Sequence, residues 1–145
     1  MRLIKEIKAN HQEMISWRRH LHENPEIAYE ENNTSNFIAG KLESFGVEVH
    51  RGLGQTGIVG VIHGQDSDSE NAPSIGLRAD MDALPLQEQT NLYYASKYPN
   101  RMHACGHDGH TTMLLGAAEY LSKNRHFSGD VYCIFQPAEE GGAGA

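Results

Sequence analysis

The chain has 145 residues, enough for one domain with its own core, and its 39% apolar and 21% charged content fits a folded globular protein rather than a disordered tail. A formal net charge of −7 argues against nucleic acid as the main partner, because binding a phosphate backbone needs an excess of Lys and Arg. No run approaches the roughly 18 consecutive apolar residues of a membrane span. The charged opening MRLIKEIKANHQEM also lacks the apolar stretch of a signal peptide, so the expected location is cytoplasmic, with no membrane partner.

From Leu3 to about His22 the residues Leu3, Ile7, Met14, Ile15, Trp17 and Leu21 recur near the helical period. Asn24-Pro25 should end that helix, since the residue before proline is pushed out of the helical region. A second helix is expected over Thr34–Phe45, with Phe37, Ile38, Leu42 and Phe45 buried and Gly46 at its C-terminal stop. Strands are expected at Val47–His50, Ile58–His63 and Ser74–Leu77, with Gln65–Asn71 as a polar connection. A long irregular stretch then runs to about Gly106, and loops of that length in a compact domain tend to be functional. A helix over Gly109–Ser122, a strand over Val131–Phe135 and an irregular Gln136–Ala145 complete the chain. This order suggests an α/β or α+β layer with a mixed sheet flanked by helices.

Gly52-Leu53-Gly54-Gln55-Thr56-Gly57 satisfies the GxGxxG pattern of dinucleotide sites. That reading needs a helix after the glycines, so that a pyrophosphate meets its N-terminus. A strand-like Ile-Val-Gly-Val-Ile follows instead, and the glycines are read as a turn between strands. Of the two cysteines, Cys133 lies in an apolar run and reads as a core thiol; a disulfide framework is not expected.

Cys105 has different company. Met102-His103-Ala104-Cys105-Gly106-His107-Asp108-Gly109-His110 offers a thiol, three imidazoles and a carboxylate, the donor set that suits zinc and related divalent metals. Cys105 and His107 flank a glycine, a spacing that lets both reach one ion from a tight loop. His103 and His110 are open between supporting, substrate-facing and merely exposed roles. Asp108 is most simply the N-cap of the following helix. A second segment, Phe135–Gly142, sets Glu139 and Glu140 just after a strand, where α/β sheets form their sites. One carboxylate could hold a metal while the other takes a proton from water. A third, Gly76–Pro85, carries Asp80 and Asp82 just past a strand, as ligands or as supports for a ligating imidazole.

Four segments in order resemble the motifs of the M20 metallopeptidase-type amidohydrolases, in the branch of hippurate, N-acyl-amino-acid and auxin-conjugate hydrolases. They are Trp17–Glu26, Leu77–Pro85, Met102–His110 and Phe135–Gly142. The resemblance implies that Cys105, His107 and Glu140 are metal ligands, that Glu139 is the general base, and that Asp82 supports the metal site. Asp80 stands where other branches keep a ligating histidine and is not expected to ligate. It further implies a zinc-peptidase-like catalytic domain, two divalent ions (Mn, Zn, Co or Ni) and a small N-acyl amino acid substrate, with a homodimer possible at full length. Family members are longer. Residues 1–145 are therefore expected to be the N-terminal part of the catalytic domain, without the inserted domain and two downstream histidine ligands, and to have weak metal binding and little or no activity alone. The alternatives are a non-catalytic metal-binding remnant, or a peptidase or N-acetyl-diaminopimelate deacetylase on the same scaffold.

Overall fold

The computed structural model describes residues 4–65 and 72–141. The expected helix start at Leu3, most of the Gln65–Asn71 connection and the end of the chain from Gly142 lie outside the described residues. The elements are α1 (Lys5–Ala9), α2 (His11–Glu23), α3 (Asn32–Ser44), β1 (Glu48–Leu53), β2 (Gly57–His63), β3 (Ser74–Asp80), α4 (His107–Lys123) and β4 (Asp130–Gln136). The single N-terminal helix expected from periodicity is in fact two, broken at Asn10. Asparagine is a poor helix former, and the Asn10 amide donates across to Glu119 on α4, which fixes the break.

The four strands form one mixed sheet in the order β1-β2-β4-β3. β1 and β2 pair antiparallel, as do β2 and β4, whereas β3 runs parallel to β4. The GxGxxG segment is the turn between β1 and β2; Gly52, Gly54 and Gln55 all have positive φ there, and no helix follows. Register places Ile58, Gly60 and Ile62 opposite Phe135, Cys133 and Val131 on one face. Helices α3 and α4 cover that face, and the core joins Ile38, Leu42, Leu115, Ala118 and Trp17 to these strands. Gly60 is small for a reason: a Cβ there would sit 3.1 Å from Leu42 and Val47 side chains. β3 is the outer strand beside β4, and Ile75 on it is 56% exposed.

Two element ends differ from expectation in ways that matter below. β3 continues to Asp80, so Asp80 is the last strand residue and not a loop residue. α4 begins at His107, two residues early, with Gly106 (φ 98°) as its N-cap. Asp108 is therefore inside the first turn and does not cap the helix, a correction to the sequence reading. Glycine tolerates the left-handed conformation that the cap position adopts here.

Between β3 and α4 the chain wanders for 26 residues, yet it is anchored. Met81 N donates to Gln136 O (3.0 Å), Ala83 N to Glu26 O (2.8 Å), and Leu84 and Met102 exchange two backbone bonds of 3.0 Å. Glu88 lies buried in the middle, accepting from Ser96 N (2.6 Å), from the Thr90 hydroxyl and from His22. The parallel β3–α4–β4 crossover brings the C-terminal ends of β3 and β4 and the N-terminus of α4 to one edge of the molecule.

Two glycine substitutions test the packing. Gly129 has φ 79°, and an added Cβ would lie 1.8 Å from the Pro73 carbonyl oxygen. Gly129→Ala should cost at least about 2 kcal/mol in urea unfolding. Gly40 lies within α3 with nothing within 4 Å of its would-be Cβ. Gly40→Ala should stabilise by about 0.5–1 kcal/mol.

Candidate metal centre

Strand β3 delivers Asp80 and, two residues on, Asp82; strand β4 delivers Glu139 and Glu140; Gly106 turns the chain so that Cys105 and His107 straddle the start of α4. Ligand atoms of Cys105, His107 and Glu140 lie within 4.8 Å of one another. Cys105 is exposed, His107 is buried and Glu140 is half-buried, so the cluster has an open side at Cys105.

His107 is oriented by Asp82. Its Nδ1 lies 2.9 Å from the Asp82 carbonyl oxygen and 3.2 Å from Asp82 Oδ1. Both neighbours can only accept, so Nδ1 carries the hydrogen and Nε2 presents its lone pair. Nε2 faces Glu140 Oε1 at 3.8 Å and Glu139 Oε2 at 3.9 Å. Glu140 Oε1 is buried and, among the described residues, accepts no hydrogen bond. A lone pair, an unsatisfied carboxylate oxygen and a thiol sulfur aimed at one another are a poor arrangement for neutral protein and a good one for a cation. The donor set therefore fits a divalent metal.

Protonation follows the same geometry. The hydrogen bond to Asp82 raises the His107 pKa, against the opposing effect of burial. For Asp82, burial pushes the carboxyl up, but the bonds from His107 and from the Glu140 backbone outweigh it and leave the carboxyl below its usual range. Cys105 is raised, first by its hydrogen bond to Glu140 and then by burial and the nearby carboxylates. Cys133, sealed in the core, is pushed up to about 11 by burial.

Asp82 also holds the other arm of the site: Glu140 N donates to Asp82 Oδ2 at 2.9 Å. Removing that carboxylate would leave a part-buried amide donor unpaired, at a cost of about 1 kcal/mol. Asp80 ion-pairs with Arg78 at 2.6 Å. Asp80, His107 and His110 make a second group of potential ligands within 4.8 Å. With Nδ1 engaged, the remaining nitrogen of His107 can serve one of the two groups at a time. Of the other motif histidines, His110 is exposed, while His103 is buried and neither of its ring nitrogens has a hydrogen-bond partner among the described residues.

Behind these residues stands a polar network that the sequence reading did not assign. His22 on α2 bridges two buried carboxylates, with Nδ1 2.8 Å from Asp108 Oδ2 and Nε2 3.2 Å from Glu88 Oε1. Arg18 Nε reaches the same Asp108 oxygen at 3.1 Å. Asp108 thus ties the first turn of α4 to α2, which explains why a histidine- and arginine-rich N-terminal helix accompanies the Cys-Gly-His loop. Glu26 caps α3, accepting from Asn33 N (3.1 Å) and Thr34 N (2.8 Å). Glu31 is buried beneath Ala138. The only sequence signal for His22, Arg18 and Glu26 was their membership of the Trp17–Glu26 motif; Glu31 had none.

A mixed sheet with helices, gathering a thiol, an imidazole and paired carboxylates beyond the ends of two parallel strands, is part of the zinc-peptidase-like α/β domain. The Bacillus subtilis YXEP protein, described as a dinuclear metal binding peptidase of the M20 family, superposes with a TM-score of 0.85 at 44% identity, over 92% of this chain and 36% of that one. Residues 76–145 match Peptidase family M20/M25/M40. The chain belongs to that family, in the branch of the hippurate and IAA-amino acid hydrolases. The hippurate hydrolase of Campylobacter jejuni is 54% identical over all 145 residues, which cover 37% of that protein. IAA-amino acid hydrolase ILR1-like 5 of Arabidopsis thaliana is 49% identical over 91% of this chain and 29% of its own length. The chain thus spans between 29% and 37% of the length of these curated relatives.

Burial holds the His103 pKa down at about 4. In the unfolded chain it titrates near 6.5. A depressed histidine favours folding at neutral pH and loses that contribution as pH falls from about 6.5 toward about 4. The His103 ring resonances should stay flat between pH 8 and 5 by NMR. His103→Leu should flatten the decline in urea stability between pH 6.5 and 4.5.

Proposed function

We propose that this chain carries the N-terminal share of a metal-dependent amidohydrolase site acting on N-acyl amino acids. The observation that carries the reading is the convergence of Cys105, His107 and Glu140 within 4.8 Å, with Glu139 beside them. Those three residues would hold a divalent ion, for which Mn, Zn, Co and Ni are all compatible with the donor set. An ion there would supply Lewis acidity to a water and to the scissile carbonyl. Glu139, whose side chain is 41% exposed, faces the open side and takes the proton from the attacking water. As the water oxygen bonds to the carbonyl carbon and the C–N bond breaks, Glu139 returns that proton to the leaving amine. Asp82 keeps His107 turned with Nε2 outward and holds the Glu140 amide.

The substrate class rests on the relatives. Hippurate and IAA-amino acid conjugates both join an aromatic acyl group to an amino acid through an amide, which supports an acyl-amino-acid substrate here. Three protein ligands suit one ion but fall short of a bridged pair, so the 145 residues are expected to bind one ion weakly and to turn over little.

Metal binding can be read on the chain directly. Cobalt(II) should bind at one equivalent with a thiolate-to-metal absorption band, and Cys105→Ser should abolish that band; a spectrum unaffected by the substitution would remove Cys105 from the site. Turnover is best read with these residues joined to the remaining two-thirds of the Campylobacter jejuni relative, on a panel of N-acyl amino acids. There Glu139→Gln should lower kcat by about 10²–10⁴-fold with metal content unchanged, and near-normal turnover would overturn its role.

A further inference from the structure

Glu31 is fully buried, and among the described residues no cation pairs with it. Its partners are neutral: the Thr56 hydroxyl donates to Oε2 at 2.7 Å, and the Ala138 backbone amide donates to Oε1 at 2.8 Å. A buried carboxylate with only neutral partners is costly to a fold, and an apolar side chain of similar volume would fill the space without that cost. Glu31 also stands at the N-cap position of α3 without capping it. Glu26 does the capping, which leaves the Glu31 side chain free to turn inward.

What it meets there is the hinge of the Glu-Glu segment. Ala138 has φ 53°, a left-handed conformation that a residue with a Cβ adopts only under constraint from its surroundings. That kink sets the direction in which Glu139 and Glu140 leave strand β4. Two residues on, Asp82 holds the Glu140 amide at 2.9 Å. Alternate backbone amides, at 138 and 140, are thus gripped by two buried carboxylates from distant parts of the chain, with Glu139 between them.

We propose that Glu31 is a positioning residue for the Glu139–Glu140 pair: anchored by Thr56, it clamps the Ala138 amide and so fixes where both carboxylates point. The consequence for metal and proton transfer rests on the function proposed above; the clamp itself does not.

The test is a substitution series at Glu31 with two readouts. Glu31→Gln keeps an acceptor for the amide and a donor for Thr56. Glu31→Asp keeps the charge but is one methylene too short to reach. Glu31→Ala removes both. Amide hydrogen exchange at Ala138 should match wild type in the Gln variant and be at least tenfold faster in the Asp and Ala variants, while the β4 amides of Val131 and Cys133 stay protected. Cobalt(II) affinity should follow the same order, with the Gln variant near wild type and the Asp variant at least tenfold weaker. Should Glu31→Ala fail to fold, the Asp and Gln variants decide alone. Unchanged protection at Ala138 in the Asp variant, or a Gln variant as impaired as it, would overturn the proposal. If wild type binds no cobalt, the metal reading fails, and exchange at Ala138 still decides the clamp.

Discussion

His107 has one ring nitrogen turned inward to Asp82, and that commitment decides what the other can do. With Nδ1 donating to a carbonyl at 2.9 Å, Nε2 is left as a lone pair facing two carboxylates. Asp82 does this from the loop just after β3, and its second oxygen holds the arm that follows β4. One residue, through its backbone carbonyl and its carboxylate, therefore locks the Cys-Gly-His loop to the Glu-Glu segment. The arrangement needs β3 and β4 to run parallel, because only then do both strands end at the same edge.

The remainder of the architecture keeps that edge rigid. The core on the helix-covered face fixes α4 against the sheet, and the His22–Asp108–Glu88 network fixes its first turn to α2 and to the long loop. Most of the charge in this network is buried, where an unmatched carboxylate would be expensive. Each one is accordingly met by hydrogen bonds from imidazole, guanidinium, hydroxyl or backbone amide. A 26-residue loop that lacks regular structure is thereby held at both ends and in the middle, which is what a ligand-bearing loop requires.

Much of this was legible in the sequence. The strands, α3 and α4 announced themselves through apolar periodicity, and the misfit of the glycine-rich turn with a nucleotide site was visible from the strand that follows it. Clustering of unlike donor types singled out Cys105, His107, Glu139 and Glu140, and the structure does bring them together. The errors have physical causes. Periodicity does not register a break such as Asn10, which a distant glutamate stabilises. Asp108 looked like a helix cap because aspartate is favoured there, but a left-handed glycine took the position and freed Asp108 for Arg18 and His22. Glu31 and Glu88 were invisible, since a glutamate in a polar stretch reads as surface until the fold buries it.

The two cysteines end in opposite environments. Cys133 is closed off between the sheet and the helices, whereas Cys105 opens to solvent. An alkylating reagent will accordingly find one thiol per folded chain and two per unfolded chain, which gives the protein an internal standard. Labelling stoichiometry counts unfolded molecules, and protection of the outer thiol by an added ion reports occupancy without any need for turnover.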